Sequence, residues 1–162
     1  MTDKSYPATR RLVLQGIISA ALIGLGGFSL QPAPALAAAN DKYPEDAFKQ
    51  KGDADAIKSL YGKAAEASDK VKLDAPEIAE NGAVVPVSVT TTLPSVTSIS
   101  FFVSENPNAL AASYVIAEGT VPSIANRLKM QKTANVSVIV ESEGKLYSAT
   151  KEVKVTVGGC GG

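Results

Sequence analysis

Val136-Ser137-Val138-Ile139-Val140-Glu141-Ser142-Glu143-Gly144-Lys145-Leu146-Tyr147-Ser148-Ala149-Thr150-Lys151-Glu152-Val153-Lys154-Val155-Thr156-Val157 is the stretch that decides the fold. In its first arm Val136, Val138 and Val140 alternate with Ser137, Ile139 and Glu141. In its second, Val153, Val155 and Val157 face one way while Glu152, Lys154 and Thr156 face the other. A period of two is the mark of an extended strand with one side against a core. Ser142-Glu143-Gly144-Lys145 lies between the arms and reads as a hairpin turn. The stretch therefore predicts two adjacent antiparallel strands.

Upstream of this hairpin the same grammar repeats. Residues 71–74 read as a first strand that ends near Pro76. Asn81-Gly82 signals a turn, and Val85, Val87 and Val89 alternate with polar positions until Pro94. Ile99, Phe101 and Val103 alternate in the next strand, which stops at Glu105-Asn106-Pro107-Asn108. Residues 111–117 give another, closed by Glu118-Gly119. Residues 121–130 read both ways, and Pro122 points to a sheet edge or the start of a loop. No helical pattern alternates with these strands, and no internal repeat is visible. About six or seven short strands with turns between them predict an antiparallel β-sandwich over residues 69–157.

Residues 40–68 read as helical. Pro44 suits a first helical turn, with Glu45 and Asp46 near its positive end. Gly52 interrupts the run, Asp53 is placed to cap a second helix, and Gly62 weakens its continuation. Ala54, Ile57, Leu60 and Tyr61 then share one face by 3/4 spacing. Such a segment, within residues 38–68, packs on a sheet or binds a partner.

Residues 1–37 read as a targeting segment rather than structure. Arg10 and Arg11 precede an apolar run over residues 17–30, Pro32 and Pro34 break it, and Ala35-Leu36-Ala37 is an A-x-A cleavage signal. The paired arginines, followed by Leu14, resemble a twin-arginine export signal. The run is short of the ~20 residues that cross a bilayer, so a membrane anchor is the weaker reading. Periplasmic export is the expectation, with no membrane association after cleavage.

Composition excludes several chemistries. The 162 residues contain no histidine and one cysteine, and carry 16 basic and 16 acidic side chains. Absence of histidine removes Ser-His-Asp and Cys-His catalysis within this chain. Cleavage after Ala37 leaves 13 basic and 15 acidic residues, which is no nucleic-acid footprint. The paired acids Asp53/Asp55 and Glu141/Glu143 fit a helix start and a solvated turn. No metal site and no bound cofactor are expected.

The cysteine is the remaining candidate. Cys160 sits in Gly158-Gly159-Cys160-Gly161-Gly162, directly after the last strand. Glycine lacks a Cβ, so nothing beside this thiol hinders it. An odd cysteine in an exported protein points to a reactive thiol or to intermolecular pairing. A thiolate needs nearby positive charge or dipoles to form. These five residues supply none, so activation by another protein is expected.

The segment Val153-Lys154-Val155-Thr156-Val157-Gly158-Gly159-Cys160-Gly161-Gly162 resembles the C-terminus of the SoxY family, covalent carriers of bacterial thiosulfate-oxidising systems. Residues 124–130, Gly144-Lys145-Leu146-Tyr147, Phe48, Ala56-Ile57 and the twin-arginine leader extend the resemblance. It implies an immunoglobulin-like sandwich that is a carrier rather than an enzyme, in a heterodimer with a small β subunit, SoxZ. Cys160 would hold the sulfur adduct as a cysteine S-thiosulfonate, on an arm made of Gly158, Gly159, Gly161 and Gly162. The implied partners are a c-type cytochrome conjugating enzyme, a dimanganese hydrolase that releases sulfate and, where present, a sulfane dehydrogenase.

Two other readings compete. An exported interaction domain could dimerise through Cys160, since disulfides persist in oxidising compartments. A ubiquitin-like carrier could use a thiocarboxylate on the terminal Gly161-Gly162. The export signal and the number of strands oppose the second.

Overall fold

A computed structural model describes residues 43–157. The leader, with Arg10, Arg11, Ala35 and Ala37, and the tail 158–162 lie outside the described residues. The elements in chain order are α1 (Glu45–Phe48), α2 (Asp53–Tyr61), β1 (Glu66–Ala67), β2 (Val71–Asp74), β3 (Ile78–Asn81), β4 (Val85–Thr91), β5 (Val96–Val103), β6 (Leu110–Val115), β7 (Ser123–Leu128), β8 (Ala134–Ser142) and β9 (Lys145–Val157).

The β8–β9 hairpin forms as its sequence predicts. Nine residue pairs run from Ser142 opposite Lys145 to Ala134 opposite Val153. Glu143 and Gly144 take φ of 50° and 74°. Positive φ at both central residues is the type I′ turn, whose twist matches that of the strands it joins.

One sheet has the order β1-β9-β8-β5-β6, with β3 also on the outer edge of β9. The other is β2-β4-β7. Their inner faces meet as a sandwich. Val136, Val138, Val140, Val153, Ile99 and Phe101 pack from the larger sheet against Val71, Val85, Val87, Val89 and Leu128 from the smaller. Burial of each such side chain stabilises the fold by roughly 1.5–3 kcal/mol relative to exposure. The segment after Pro122 resolves into β7, an edge strand paired with β4 alone. Among the described residues no helix is long and apolar enough to cross a membrane.

Three details differ from the sequence reading. The helical segment ends at Tyr61 with Gly62 in the left-handed region (φ 71°), and residues 66–67 already form β1. Gly52, not Asp53, is the N-cap of α2, and no side chain caps it. Asp53 is the first helical residue, and its Oδ1 is buried without a hydrogen-bond partner among the described residues. Ala56 rather than Ala54 is the buried alanine of α2, beside Ile57, Leu60 and Tyr61. The buried stripe therefore starts two residues later. Two pairings are also parallel: β1 and β3 both run alongside β9.

The helices cover the outer face of the larger sheet. Phe102, Ile139, Leu110 and Leu146 pack there with Ala47, Ala56 and the partly buried Phe48, Ile57 and Leu60. This makes β5 and β8 buried on both faces, including Ser100 and Ser137. Buried hydroxyls need partners. Ser137 bonds Thr150 at 2.9 Å. Ser100 donates to Ser113 at 2.8 Å and bonds the Tyr61 hydroxyl at 2.7 Å. Tyr61 also bonds Ser98 at 3.1 Å. Nearby, Lys63 Nζ donates to Glu141 at 3.1 Å and to the Gly144 carbonyl at 2.6 Å.

Two predictions follow from this helix-to-sheet network. Tyr61→Phe removes one hydroxyl from buried serines and should cost about 1 kcal/mol in urea denaturation. An unchanged midpoint would show that α2 is held by apolar contact alone. Burial alone would raise the Glu141 carboxyl, but hydrogen bonds from Lys63, Thr97 and Ser98, with the Lys63 charge, bring it below the usual 4.5. A carboxylate depressed in the folded state stabilises the fold above its unfolded value, and this is lost as pH falls through its folded value. Glu141→Gln should therefore be less stable than wild type at neutral pH, and the two denaturation curves should converge as pH falls below 4.5.

Candidate functional site

Strand β9 continues past the start of β8, and its last four residues need other partners. The ladder with β8 ends at Val153. Beyond it β3 takes over, with Ile78 opposite Lys154, Ala79 opposite Val155 and Asn81 opposite Val157. Lys154 N–H donates to the Glu77 carbonyl at 2.9 Å. Val155 N–H donates to Thr133 Oγ1 at 2.9 Å, and Thr156 Oγ1 donates to the Glu80 carbonyl at 3.1 Å.

The last described carbonyl is also held. Gly82 N–H donates to Val157 O at 2.9 Å, and Gly82 O accepts from Met130 N–H at 2.6 Å. Asn81 Oδ1 accepts from Ala83 N–H at 2.8 Å, which shapes the turn that follows β3. Three segments thus meet at the end of β9: the strand itself, the β3–β4 turn and the end of β7. Cys160 lies three residues further, so its Cα cannot be more than about 10 Å from that of Val157.

The charges on β9 do not gather at its end. Lys151 Nζ donates to the Ala75 carbonyl and is held against the side of the sheet. Lys154 is exposed, three residues before the strand ends. Lys132 is paired with Glu105 at 2.8 Å. Glu143 stands in the turn at the far end of the hairpin, and Asp53 and Asp55 are on α2. Burial pushes the Asp53 carboxyl up, and the nearby Glu105 adds to this. A cleft of about 720 Å³ lies on the smaller sheet between Asp74, Pro86 and Arg127. Among the described residues no three His, Cys, Asp or Glu side chains come together as a metal site.

Sequence reasoning missed the anchor. Ile78-Ala79-Glu80-Asn81 was not legible as a strand, although the Asn81-Gly82 turn after it was. The available signal was the apolar Ile78 between Pro76 and the Asn81-Gly82 turn, which is weak in so short a segment.

The profile of the family described as "Sulfur oxidation protein SoxY" matches residues 57–160, from the middle of α2 to the cysteine. Among solved structures, the sulfur carrier protein SoxY from Chlorobium limicola f thiosulfatophilum is 43% identical, with a TM-score of 0.59. That match covers 64% of this chain and 96% of the other. No curated protein sequence matches the chain. With a profile match over more than half its length and a sandwich that agrees with that of a solved relative, the chain belongs to the SoxY family.

Proposed function

We propose that this sulfur-oxidation carrier holds its cargo covalently on Cys160. One observation carries the reading: the family match ends on the only cysteine of the chain, three residues past a strand end that is held by hydrogen bonds. A carrier needs a firm base and a reactive atom that nothing on its own surface consumes. Strand β9 supplies the base. Gly158, Gly159, Gly161 and Gly162 leave the thiol sterically open.

The chemistry follows from the thiol. Cys160 Sγ forms a bond to the outer, sulfane sulfur of thiosulfate. The thiol proton is released and two electrons pass to a c-type cytochrome conjugating enzyme, leaving a cysteine S-thiosulfonate. Water then cleaves the bond between sulfane and sulfonate sulfur at a dimanganese hydrolase, which releases sulfate and leaves a persulfide on Cys160. A sulfane dehydrogenase, where present, oxidises the remaining sulfur. A SoxZ-like subunit completes the heterodimer. Arg10, Arg11 and the Ala35–Ala37 cleavage signal support export to the periplasm by the twin-arginine route.

The test is an intact mass. Native protein from cells growing on thiosulfate is expected to carry sulfur adducts that a reductant removes. Cys160→Ala should abolish thiosulfate-dependent respiration while leaving the circular dichroism spectrum and thermal midpoint unchanged. Only a disulfide dimer under turnover, or continued growth of the variant on thiosulfate, would overturn the reading.

A further inference from the structure

In Gly158-Gly159-Cys160-Gly161-Gly162 the cysteine carries the one side chain, so this stretch offers an enzyme one side chain to recognise. An active site that reaches Sγ must come within about 13 Å of the Val157 Cα, three residues of extended chain plus one side chain. The enzyme must therefore touch the end of the sandwich, and discrimination has to come from that surface.

Exposed apolar side chains gather there. Six large hydrophobic side chains stand out as exposed among the described residues, and three of them are Ile78 (59%), Val84 (52%) and Val157 (63%). Single exposed valines are ordinary; their common position is not. Val157 ends β9 itself. Val84 follows the Gly82 turn, with its N–H donating to the Asn81 carbonyl at 3.4 Å, and Asn81 is the register partner of Val157. Ile78 is opposite Lys154, three positions back along the same ribbon. Side chains alternate along paired strands, so Ile78 and Val157 lie on opposite faces of that ribbon. Apolar side chains thus stand on both faces at the end of β9, with exposed charge on Lys154 and Glu80 of the same ribbon and on Lys129 beside Met130. An apolar centre within a charged rim is the composition of a transient protein interface.

We infer that Ile78, Val84 and Val157 form a docking collar for the enzyme that loads Cys160, and that this enzyme has an apolar mouth around a channel narrow enough for a glycine-flanked cysteine. The inference rests on Cys160 being the loading site. Length of chain commits the surface to this occupant: the three residues from Val157 to Cys160 cannot bring the thiol to an active site that avoids it.

The experiment compares loading rates. The substrate is the full exported chain with its partner subunit, and the probe is the thiosulfate-conjugating cytochrome from the same cells. Ile78→Glu with Val84→Glu should lower kcat/KM for loading about tenfold or more, because burying charge at an apolar contact is unfavourable. Val115→Glu is the control, since Val115 is 90% exposed at the opposite end of the sandwich. It should load at the wild-type rate. A synthetic peptide of residues 157–162 should load far more slowly than the intact protein. Reaction of Cys160 with a small aromatic disulfide should be the same in all variants, which separates docking from thiol reactivity.

Wild-type loading by the double variant, equal loss in the Val115 control, or a peptide as good as the whole protein would each overturn the collar. So would a change in sedimentation mass caused by the double variant, which would assign the surface to a second copy or to the partner subunit. Those results leave the Cys160 reading standing. If wild-type protein and Cys160→Ala give the same signal, the Cys160 reading itself fails and the collar fails with it.

Discussion

The hydrogen bond from Gly82 N–H to the Val157 carbonyl closes the ribbon on which the rest of the molecule depends. Strand β9 is 13 residues long, and β8 accompanies only the part up to Val153. An unpaired strand end exposes backbone donors and acceptors and frays. Here β3 lies parallel to the last residues, and Thr133 and Glu77 take the two intervening amides. The Met130 N–H bond to Gly82 O then ties the anchoring turn to the end of β7. Both sheets therefore converge on the point from which the cysteine departs. Loss of that convergence would leave the thiol at the end of a loose strand, with its distance from any docking surface undefined.

The opposite face of the larger sheet shows a second constraint. A sandwich strand normally buries one face and hydrates the other. Strands β5 and β8 bury both, because α1 and α2 cover the outer side. That layer is small, and much of its attachment is polar, through Tyr61, Ser98, Ser100, Ser113 and the Lys63–Glu141 pair. Directional bonds fix where the helices sit; the apolar contacts of Ala56, Ile57 and Leu60 supply the driving force.

The legible parts of the fold were those with local causes. Alternating valines and a Glu-Gly turn are sufficient to specify β8 and β9, since the register is set by a two-residue turn and by one buried face. Val85, Val87 and Val89 are all buried for the same reason. Strands β1 and β3 escaped because they have two and four residues and pair with a strand more than 70 positions away. Parallel pairing has no turn to announce it. In α2 the cap lies one residue before Asp53: Gly52 serves because its extended backbone and its carbonyl, which accepts from Ala56 N–H, already start the helix. Of the proposed site, Cys160 is read from the sequence alone and lies outside the described residues. The collar was not legible there, because it depends on which residues β3 brings to the end of β9.

The arrangement of charge agrees with a carrier more than with a catalyst. A cysteine that acts on its own needs a cation or a helix N-terminus directed at its sulfur. Near the end of β9, Lys151 is bound to the Ala75 carbonyl, while Lys154 and Lys129 stand exposed in water, where their fields are screened within about 10 Å. Lys132 is neutralised by Glu105. Under the proposed function, a thiol carrying an anionic sulfur adduct would gain from such a setting. Strong local cations would hold the adduct against the carrier and compete with the enzymes that must take it. Weak attraction at the base, with apolar contact reserved for the partner, would let the proposed carrier cysteine be loaded by one protein and unloaded by another.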